Sequence, residues 1–571
     1  MATFTVTNLF DSGTGSFRQA IFDANAQAGV DEILFNPGLS GGTINLTSGE
    51  LLIADDLTIN GLGADLLTVD AGGLSRVFNI DDGYPFSDVL IDGLTMTDGG
   101  ISSRGNLVVT NSIISSNSPS SIGGGIFIWG DGNSLKVSNS IISNNNGNGG
   151  IVSHSSDVTV TNSIISGNGG DGIRVRSFFP YLGTIADVRV ENTTISGNSG
   201  NGIFNDSGNL EVTQSTISGN SGNGIINASK ASPSAGYLNG STILTDSNVS
   251  ENLGRGIVNR GNTEVSNSTI SSNSNGGIYN RSFAVSRGGT VLGRLTVNNS
   301  TISGNKAGNG GGISHVFGYL DVTNSTISSN EAVGNGGGIY INPGFTPEFR
   351  RNFIYVRNST ISGNVASGSG GGVYLGFTYR GAVVTNSTIS GNVALGSGGG
   401  IVQVSDLSYL YYYNYTAPFI SHTIIAGNNG SNPDVEGDFN SNGFNLISDP
   451  TGSTGFENDL IESDITKILD TTLADNGGST LTHALVSGSP AIDAGNNNDV
   501  PVGLTTDQRG IGFNRIVDGN NDTIAIVDIG AFEVQSSSST AVPEPSSMFG
   551  LVGLVILGTG SLLRRKLQSK S

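Results

Sequence analysis

The chain has 571 residues with a formal net charge of −21 at pH 7, and 88 of its residues are Gly. The negative charge argues against nucleic acid as a partner and against adsorption to anionic lipid, because both rely on clustered Lys and Arg. The absence of Cys excludes disulfide scaffolds and thiolate metal sites, and Gly residues without a three-residue period exclude collagen.

The N-terminal residues predict a short helix. Phe17, Ile21 and Ala24 share one face of an amphipathic segment at residues 16–25. Strand-like runs follow, so residues 1–100 are expected to form an N-terminal cap and irregular first rungs; the runs are at residues 32–35, 43–46, 57–60 and 89–92.

Residues 1–7 have neither the charged nor the apolar part of a secretory signal peptide. We therefore expect either that the given start lies downstream of the true start, or that the gene is a truncated copy.

A heptapeptide close to Asn-Ser-Thr-Ile-Ser-Gly-Asn dominates residues 101–430 and occurs in twelve copies spaced 21 to 36 residues apart. A minimum spacing of about 22 residues between copies, lengthened in some units by insertions, is typical of a repeat architecture. The copies end at Asn117, Asn145, Asn168, Asn198, Asn220, Asn252, Asn273, Asn305, Asn330, Asn364, Asn392 and Asn428.

Each repeat predicts short strands with one buried face. Leu295, Val297 and Ile302 alternate with polar residues, and residues 310–312 are three Gly that permit a sharp corner before Ile313. Such a unit cannot bury its apolar face alone, but stacked copies can. The predicted fold is all-β, a right-handed single-stranded parallel β-helix with a short N-terminal capping helix; twelve rungs would span roughly 58 Å.

The last Asn of each repeat is expected to form a structural ladder. An Asn at the same corner of every rung can donate to and accept from the Asn above and below it, and Asn tolerates left-handed corners. We interpret these twelve residues as structural and not as ligand contacts.

Long insertions hold much of the aromatic content. They all occur between the Gly-rich strand and the next heptapeptide, so stacking would place them on one side of the rod as a carbohydrate or partner surface, or as rings that only cover the flank. The residues of this possible surface are Phe178, Phe179, Tyr181, Phe349, Arg350, Arg351, Tyr379, Tyr411, Tyr412 and Tyr413.

Two terminal segments resemble bacterial surface β-helix proteins. Residues 15–21 are similar to the Cys-Ser-Leu-Arg-Glu-Ala-Ile signature that opens many of them, and depart from it at Gly15, Phe17 and Gln19. Residues 431–535 are expected to form the C-terminal end of the β-helix, and resemble the choice-of-anchor Q region that closes such β-helices. The resemblance covers residues 473–485, 488–495, 507–510 and 528–533.

The C-terminal tail resembles the PEP-CTERM sorting signal. Residues 536–547 read as a linker with the Pro-Glu-Pro motif, and residues 548–571 as a hydrophobic membrane-spanning sorting helix with a basic end. The resemblance implies processing by an exosortase-type protease, transient membrane anchoring and a cell-surface or extracellular location. The signal comprises Val542, Pro543, Glu544, Pro545, Arg564, Arg565 and Lys566.

No catalytic, cofactor or metal residues are predicted. The four His residues, His154, His315, His422 and His483, have no metal-ligand spacing and are interpreted as structural. Residues 518–522 have the opening spacing of a Ca²⁺ loop but lack its later residues, so an Asx-rich turn and a Ca²⁺ site both stay open.

Two hypotheses for function follow. The favoured one is a non-enzymatic exported surface or matrix protein with a structural, adhesive or polysaccharide-binding role, whose partners are extracellular polysaccharide or other surface proteins. The alternative is a polysaccharide lyase or glycoside hydrolase of β-helix type, which would need clustered carboxylates beside an Arg.

Overall fold

The chain winds into one long coil of parallel strands. The structure, a computed structural model, describes residues 1–81, 87–117, 124–176, 185–232, 236–238, 240–285, 289–291, 293–342, 352–376, 381–404 and 416–535. Each turn of the coil passes through three parallel sheets, which we call sheets A, B and C in chain order. The predicted parallel β-helix is confirmed, and its three strands per rung are stacked in register from one rung to the next.

Sheet A has seventeen strands. They are Thr3–Val6, Asp31–Phe35, Leu57–Asn60, Asp88–Asp92, Asn106–Thr110, Ser134–Ser138, Asp157–Thr161, Asp187–Glu191, Asn209–Thr213, Ser241–Thr245, Asn262–Ser266, Arg294–Asn298, Gly318–Thr323, Asn352–Arg357, Ala382–Thr385, Phe419–Ser421 and Asn440–Ser441.

Sheet B also has seventeen strands, and it contains the Thr-Ile-Ser part of the heptapeptide. They are Gly42–Asn45, Leu67–Asp70, Thr95–Thr97, Ile113–Ser115, Ile141–Ser143, Ile164–Ser166, Thr194–Ser196, Thr216–Ser218, Asn248–Ser250, Thr269–Ser271, Thr301–Ser303, Thr326–Ser328, Thr360–Ser362, Thr388–Ser390, Ile424–Ala426, Leu446–Ile447 and Leu460–Ile461. At a strand spacing of about 4.8 Å, this stack is roughly 77 Å long.

Sheet C has sixteen strands, most of which follow the Gly-rich corner. They are Leu51–Ile53, Phe78–Ile80, Ile101–Ser103, Ile126–Trp129, Gly149–His154, Asp171–Arg176, Ile203–Asp206, Ile225–Ala228, Ile257–Asn259, Ile278–Arg281, Ile313–Val316, Ile339–Ile341, Val373–Leu375, Ile401–Gln403, Val435–Asp438 and Ser453–Thr454.

A few short elements lie outside these sheets. Two antiparallel hairpins pair Lys230–Ser232 with Gly236–Leu238 and Phe283–Val285 with Gly289–Val291. A small parallel sheet of four strands contains Lys306–Ala307, Glu331–Ala332, Val365–Ala366 and Val393–Ala394. The 3₁₀ helices are Pro37–Leu39, Ile465–Lys467 and Asn497–Asp499.

The predicted capping helix is present at Phe17–Asn25. Ser16 is its N-cap and accepts a hydrogen bond from the backbone N–H of Gln19 at 3.2 Å. Phe17 is fully buried and its ring contacts the rings of Phe35 and Phe78 at centroid distances of 5.0 and 5.9 Å. The helix therefore covers the apolar interior at the first rungs. The C-terminal sorting helix predicted at residues 548–571 lies outside the described residues.

The interior of the coil is aliphatic over most of its length. The central residue of the sheet B strands is a buried Ile in rung after rung, as at Ile114, Ile195, Ile302 and Ile389. The residues on either side of it point outward, as the two-residue period of a strand requires. A single 22-residue unit cannot bury its apolar face, whereas the stacked units bury a continuous core.

The last Asn of each heptapeptide lies in a buried ladder. The side-chain amide of each Asn donates from Nδ2 to Oδ1 of the next Asn along the coil, at 2.8 to 3.0 Å from Asn145 to Asn428. Asn117 donates to Asn145 in the same way, and Asn428 donates to Asp434 at 2.8 Å. The same Oδ1 atoms also accept the backbone N–H of the preceding ladder residue, as for Asn168 and Asn198 at 3.1 Å.

The left-handed corner is at a different Asn from the ladder residue. The first Asn of the heptapeptide has a positive φ, for example 49° at Asn162 and 46° at Asn299, whereas no ladder Asn does. The Gly before the ladder residue takes the second left-handed corner, with φ of 64° at Gly167. The two Asn of one repeat therefore have separate roles, one in backbone conformation and one in hydrogen bonding.

Residues 462–535 leave the stack and fold back along the outer face of sheet B. Thr326 Oγ1 donates to the carbonyl oxygen of Leu481 at 2.6 Å, and Thr360 Oγ1 donates to Oε1 of Gln508 at 2.6 Å. The backbone N–H of Ala531 donates to Thr388 Oγ1 at 3.1 Å. We call residues 462–535 the C-terminal cover, because they bury the outward Thr side chains of successive rungs.

Candidate functional site

The ten residues of the predicted partner surface, between Phe178 and Tyr413, lie outside the described residues. The described strands on either side of the four insertions are a sheet C strand before and a sheet A strand after, as with Asp171–Arg176 and Asp187–Glu191. The sorting-signal residues from Val542 to Lys566 also lie outside the described part of the chain.

A groove of about 510 Å³ runs along the outer face of sheet A over four rungs. We call it the sheet A groove. Its polar lining includes Asp157, Asp187, Arg189, Asn209, Glu211 and Ser241. The groove was not predicted from the sequence. Its residues occupy equivalent outward positions of successive repeats, so an alignment of the repeats by register brings them together.

Arg189 of this groove lies between two carboxylates, of which only Glu211 lines the groove. Its Nη2 is 3.2 Å from Oε2 of Glu191, and its Nη1 is 3.6 Å from Oε2 of Glu211. Asp187 accepts a hydrogen bond from Nδ2 of Asn209 at 2.9 Å. The groove thus offers one guanidinium as donor and several carboxylate oxygens as acceptors, the groups that hydrogen-bond sugar hydroxyls.

A second concavity of about 250 Å³ lies on the outer face of sheet C. We call it the sheet C pocket, and it is lined by Asn148, Val152, His154, Arg174 and Arg176. Burial, then the charges of Arg176 and Arg174, lower the pKa of His154 below its ordinary value, so its imidazole is neutral at pH 7.

Aromatic and Arg side chains also meet farther along sheet A. The rings of Tyr319 and Tyr355 are 5.8 Å apart, and the guanidinium groups of Arg294 and Arg357 lie over them at 4.3 and 4.6 Å. Arg357 also pairs with Asp321 at 2.8 Å. Burial and the neighbouring Asp321 raise the pKa of the Tyr319 hydroxyl, so it stays protonated.

The remaining His residues make packing contacts. A second row of buried amides runs through Asn227, Asn259 and Asn280, each donating to the next. His315 is fully buried at the end of this row, where Asn280 donates to its Nδ1 at 2.9 Å. Nε2 of His422 accepts the backbone N–H of Asn496 at 2.8 Å, and Nε2 of His483 lies 2.8 Å from Oγ of Ser362. His422 and His483 therefore attach the C-terminal cover to the coil.

The candidate Ca²⁺ loop is occupied by its own hydrogen bonds. The carboxylate of Asp518 accepts the backbone N–H groups of Asp522 and Thr523 at 3.0 and 2.8 Å. Oδ1 of Asn520 accepts the backbone N–H of Asp522, two residues on, at 2.9 Å, which is the pattern of an Asx turn. Across the described ranges, no three acidic or His side chains are close enough to hold a metal ion.

Two family models match the chain. A model described as a right-handed β-helix region matches residues 86–236 and 124–284, and a PEP-CTERM protein-sorting motif matches residues 541–566. This is a right-handed parallel β-helix protein with a PEP-CTERM sorting motif. The predicted handedness and the predicted sorting signal are thus confirmed. No helix within the described part of this β-helix protein is long and apolar enough to cross a bilayer.

No curated protein is significantly similar to this chain in sequence. Among solved structures, tailspike protein 3 of bacteriophage CBA120 is 13% identical with a TM-score of 0.36, covering 80% of this chain and 58% of the tailspike. The A-module of mannuronan C-5 epimerase AlgE4 from Azotobacter vinelandii is 14% identical with a TM-score of 0.27, covering 78% and 97%.

The catalytic unit of a GH87 α-1,3-glucanase from Streptomyces thermodiastaticus is 15% identical with a TM-score of 0.27, covering 70% of this chain and 68% of the enzyme. At these identities and TM-scores, none of the three similarities bears on what this chain binds or does.

Proposed function

We propose that this protein is an exported β-helical rod that retains extracellular polysaccharide at the cell surface without cutting it. The PEP-CTERM match supports export and processing by an exosortase-type protease. The observation that carries the binding role is the sheet A groove, an open groove that crosses four rungs and is lined by hydrogen-bonding side chains. A groove parallel to the rod axis suits an extended polymer better than a compact ligand.

An enzyme of lyase or hydrolase type is the alternative, because Asp157, Asp187 and Glu211 line one groove with Arg189. The ion pairs of Arg189 argue against it, since they hold the guanidinium against Glu191 and Glu211 instead of leaving it free to contact a substrate as a base. Binding by the groove needs no change in the protonation of these groups.

The test is retention of purified exopolysaccharide by the full-length protein in affinity electrophoresis. Arg189→Ala combined with Glu211→Ala is expected to weaken retention, and Thr269→Ala on the outer face of sheet B is the matched control. Polymer length and reducing ends are measured in the same samples. Shortening of the polymer would favour the enzyme, and equal migration of wild type and the groove variant would remove the groove from the proposal.

A further inference from the structure

Four consecutive strands of sheet C build the surroundings of the sheet C pocket. They are Ile126–Trp129, Gly149–His154, Asp171–Arg176 and Ile203–Asp206. Their register aligns the outward residues in two columns, Phe127, Val152, Arg174 and Phe204 in one, and Trp129, His154, Arg176 and Asp206 in the other. The two strands that line the pocket therefore lie between a strand that carries Phe127 and Trp129 and a strand that carries Phe204 and Asp206.

Arg174 is held in a fixed position. Its Nε is 2.6 Å from Oδ2 of Asp171, and its guanidinium lies over the ring of Phe204 at 5.0 Å. Asp171 is itself almost fully buried, and its Oδ1 accepts the backbone N–H of Asn201 at 2.7 Å. A guanidinium oriented in this way is prepared to bind an anion with little loss of side-chain freedom.

Arg176 is the second cation of the pocket, and no ion-pair partner for it is found among the described residues. Asp171 pairs with Nε of Arg174 and Asp206 is the register neighbour of Arg176, so an anion in the cavity would bind to the remaining guanidinium N–H donors. Carboxylates match the fork of N–H donors that an Arg presents.

Trp129 supplies an aromatic ring at the border of the pocket, one strand beyond His154 and two strands from Arg176. Its side chain is 36% exposed, it is in register with His154, and the guanidinium of Arg104 lies over its ring at 3.9 Å. An exposed aromatic ring can pack against the C–H face of a sugar while neighbouring polar groups bind its substituents.

We propose that the sheet C pocket binds the carboxylate of a uronic acid residue in a polysaccharide, with Arg174 and Arg176 on the carboxylate and Trp129 against the sugar ring. This inference rests on the proposed polysaccharide binding and gives it a chemical class, an acidic glycan. It also assigns recognition of charge to sheet C, whereas the sheet A groove recognises hydroxyl groups.

Trp129 is the single Trp of the chain, so Trp fluorescence reports on the part of sheet C that borders this pocket. The full-length protein is titrated with tetragalacturonate and, separately, with neutral maltotetraose and with inorganic sulfate. Tetragalacturonate is expected to change the Trp129 emission saturably. Arg176→Gln should weaken that binding about tenfold or more, because a charge-assisted contact is lost, while Arg260→Gln, at an exposed position outside both concavities, should leave it unchanged.

The other outcomes separate this inference from the proposed function. Equal affinity for maltotetraose, or an Arg176→Gln protein that binds tetragalacturonate as tightly as wild type, overturns the acidic pocket and leaves polysaccharide binding intact. If sulfate binds as tightly as tetragalacturonate, the pocket binds anions in general, and the assigned contact between Trp129 and a sugar ring is wrong. If neither this titration nor the electrophoresis detects any glycan, both proposals fail.

Discussion

Two stretches of sheet B carry the same sequence in different surroundings. Thr301–Ser303 and Thr326–Ser328 both read Thr-Ile-Ser, and both place Ile inward and Thr and Ser outward. Thr301 is partly exposed, whereas Thr326 is fully buried because the C-terminal cover lies on it. The repeat therefore determines which way each side chain points, and the C-terminal cover determines whether an outward side chain contacts protein or solvent.

Arg515→Met should have the largest effect, on the covered stretch alone. Arg515 is fully buried and its Nη2 donates to the carbonyl oxygens of Asp528 and Gly530 at 2.9 and 2.7 Å. Its loss should cost the cover about 3–5 kcal/mol, since two buried carbonyl oxygens are left without a hydrogen-bond donor. Limited proteolysis is expected to cut residues 462–535 while circular dichroism of the coil is unchanged; Arg189→Met is the surface control.

A ladder substitution should weaken both stretches. Asn273→Ala leaves the amide of Asn252 without its acceptor and that of Asn305 without its donor, which should cost about 2–4 kcal/mol locally. Asn275→Ala, at an exposed position two residues away, is the matched control. Asn364→Ala removes the same contacts in the covered stretch.

Hydrogen exchange measures the ladder substitutions rung by rung. Exchange should accelerate less around Asn364 than around Asn273, because opening a covered rung must also detach the cover. Identical acceleration at both positions would show that the cover adds nothing to the stability of the rungs beneath it.

Acid should weaken the coil near His315, outside the covered stretch. Burial lowers the pKa of this imidazole to about 3, whereas an unfolded His titrates near 6.5, so the unfolded state takes up a proton that the folded state refuses. Stability should fall as pH drops below about 6.5, by up to roughly 1.4 kcal/mol per pH unit. His315→Asn, which keeps an acceptor for Asn280, should reduce the acid sensitivity in urea denaturation between pH 7 and pH 4; part of what remains comes from His422, whose pKa burial lowers to about 4.

Raising the pH should destabilise the C-terminal cover, which is the opposite pH dependence to that expected from His315. Burial raises the pKa of Glu533 to about 9, partly offset by Arg515, so the folded state holds a proton that the unfolded state releases. Stability of the cover is therefore full below the usual Glu pKa and is lost as pH rises toward 9. Glu533→Gln should flatten the pH dependence of proteolysis in residues 462–535, and an unchanged dependence would contradict the assignment.

The smallest effect should come from a matched pair of hydroxyl deletions. Thr360→Val removes the donor to Gln508 and should cost about 1–2 kcal/mol, because a buried acceptor loses its partner. Thr269→Val removes an exposed hydroxyl and should change stability little. Thermal denaturation distinguishes the two variants when the release of the C-terminal cover is monitored.

Much of the fold could be predicted because the repeat carries it locally. When identical units stack, each residue lies beside its equivalent in the next unit. The alternation around Ile302, the Gly at the corners and the Asn at a constant place in each unit therefore predict their own contacts. The sheet A groove and the sheet C pocket could not be found in this way. Arg189 approaches Glu211, and His154 approaches Arg176, only because strands in successive rungs are in register.

The sequence by itself determined the parallel β-helix, the inward Ile column and the sorting motif, because each depends on residues within one unit or one short segment. Only the tertiary structure decided which outward residues are exposed. Gln508 contacts Thr326 and Thr360, which are more than a hundred residues away, and no local pattern marks those two Thr as buried. The structure of the repeats follows from residues that are close in sequence. The contacts of the C-terminal cover, the sheet A groove and the sheet C pocket depend on residues that are distant in sequence and close in space.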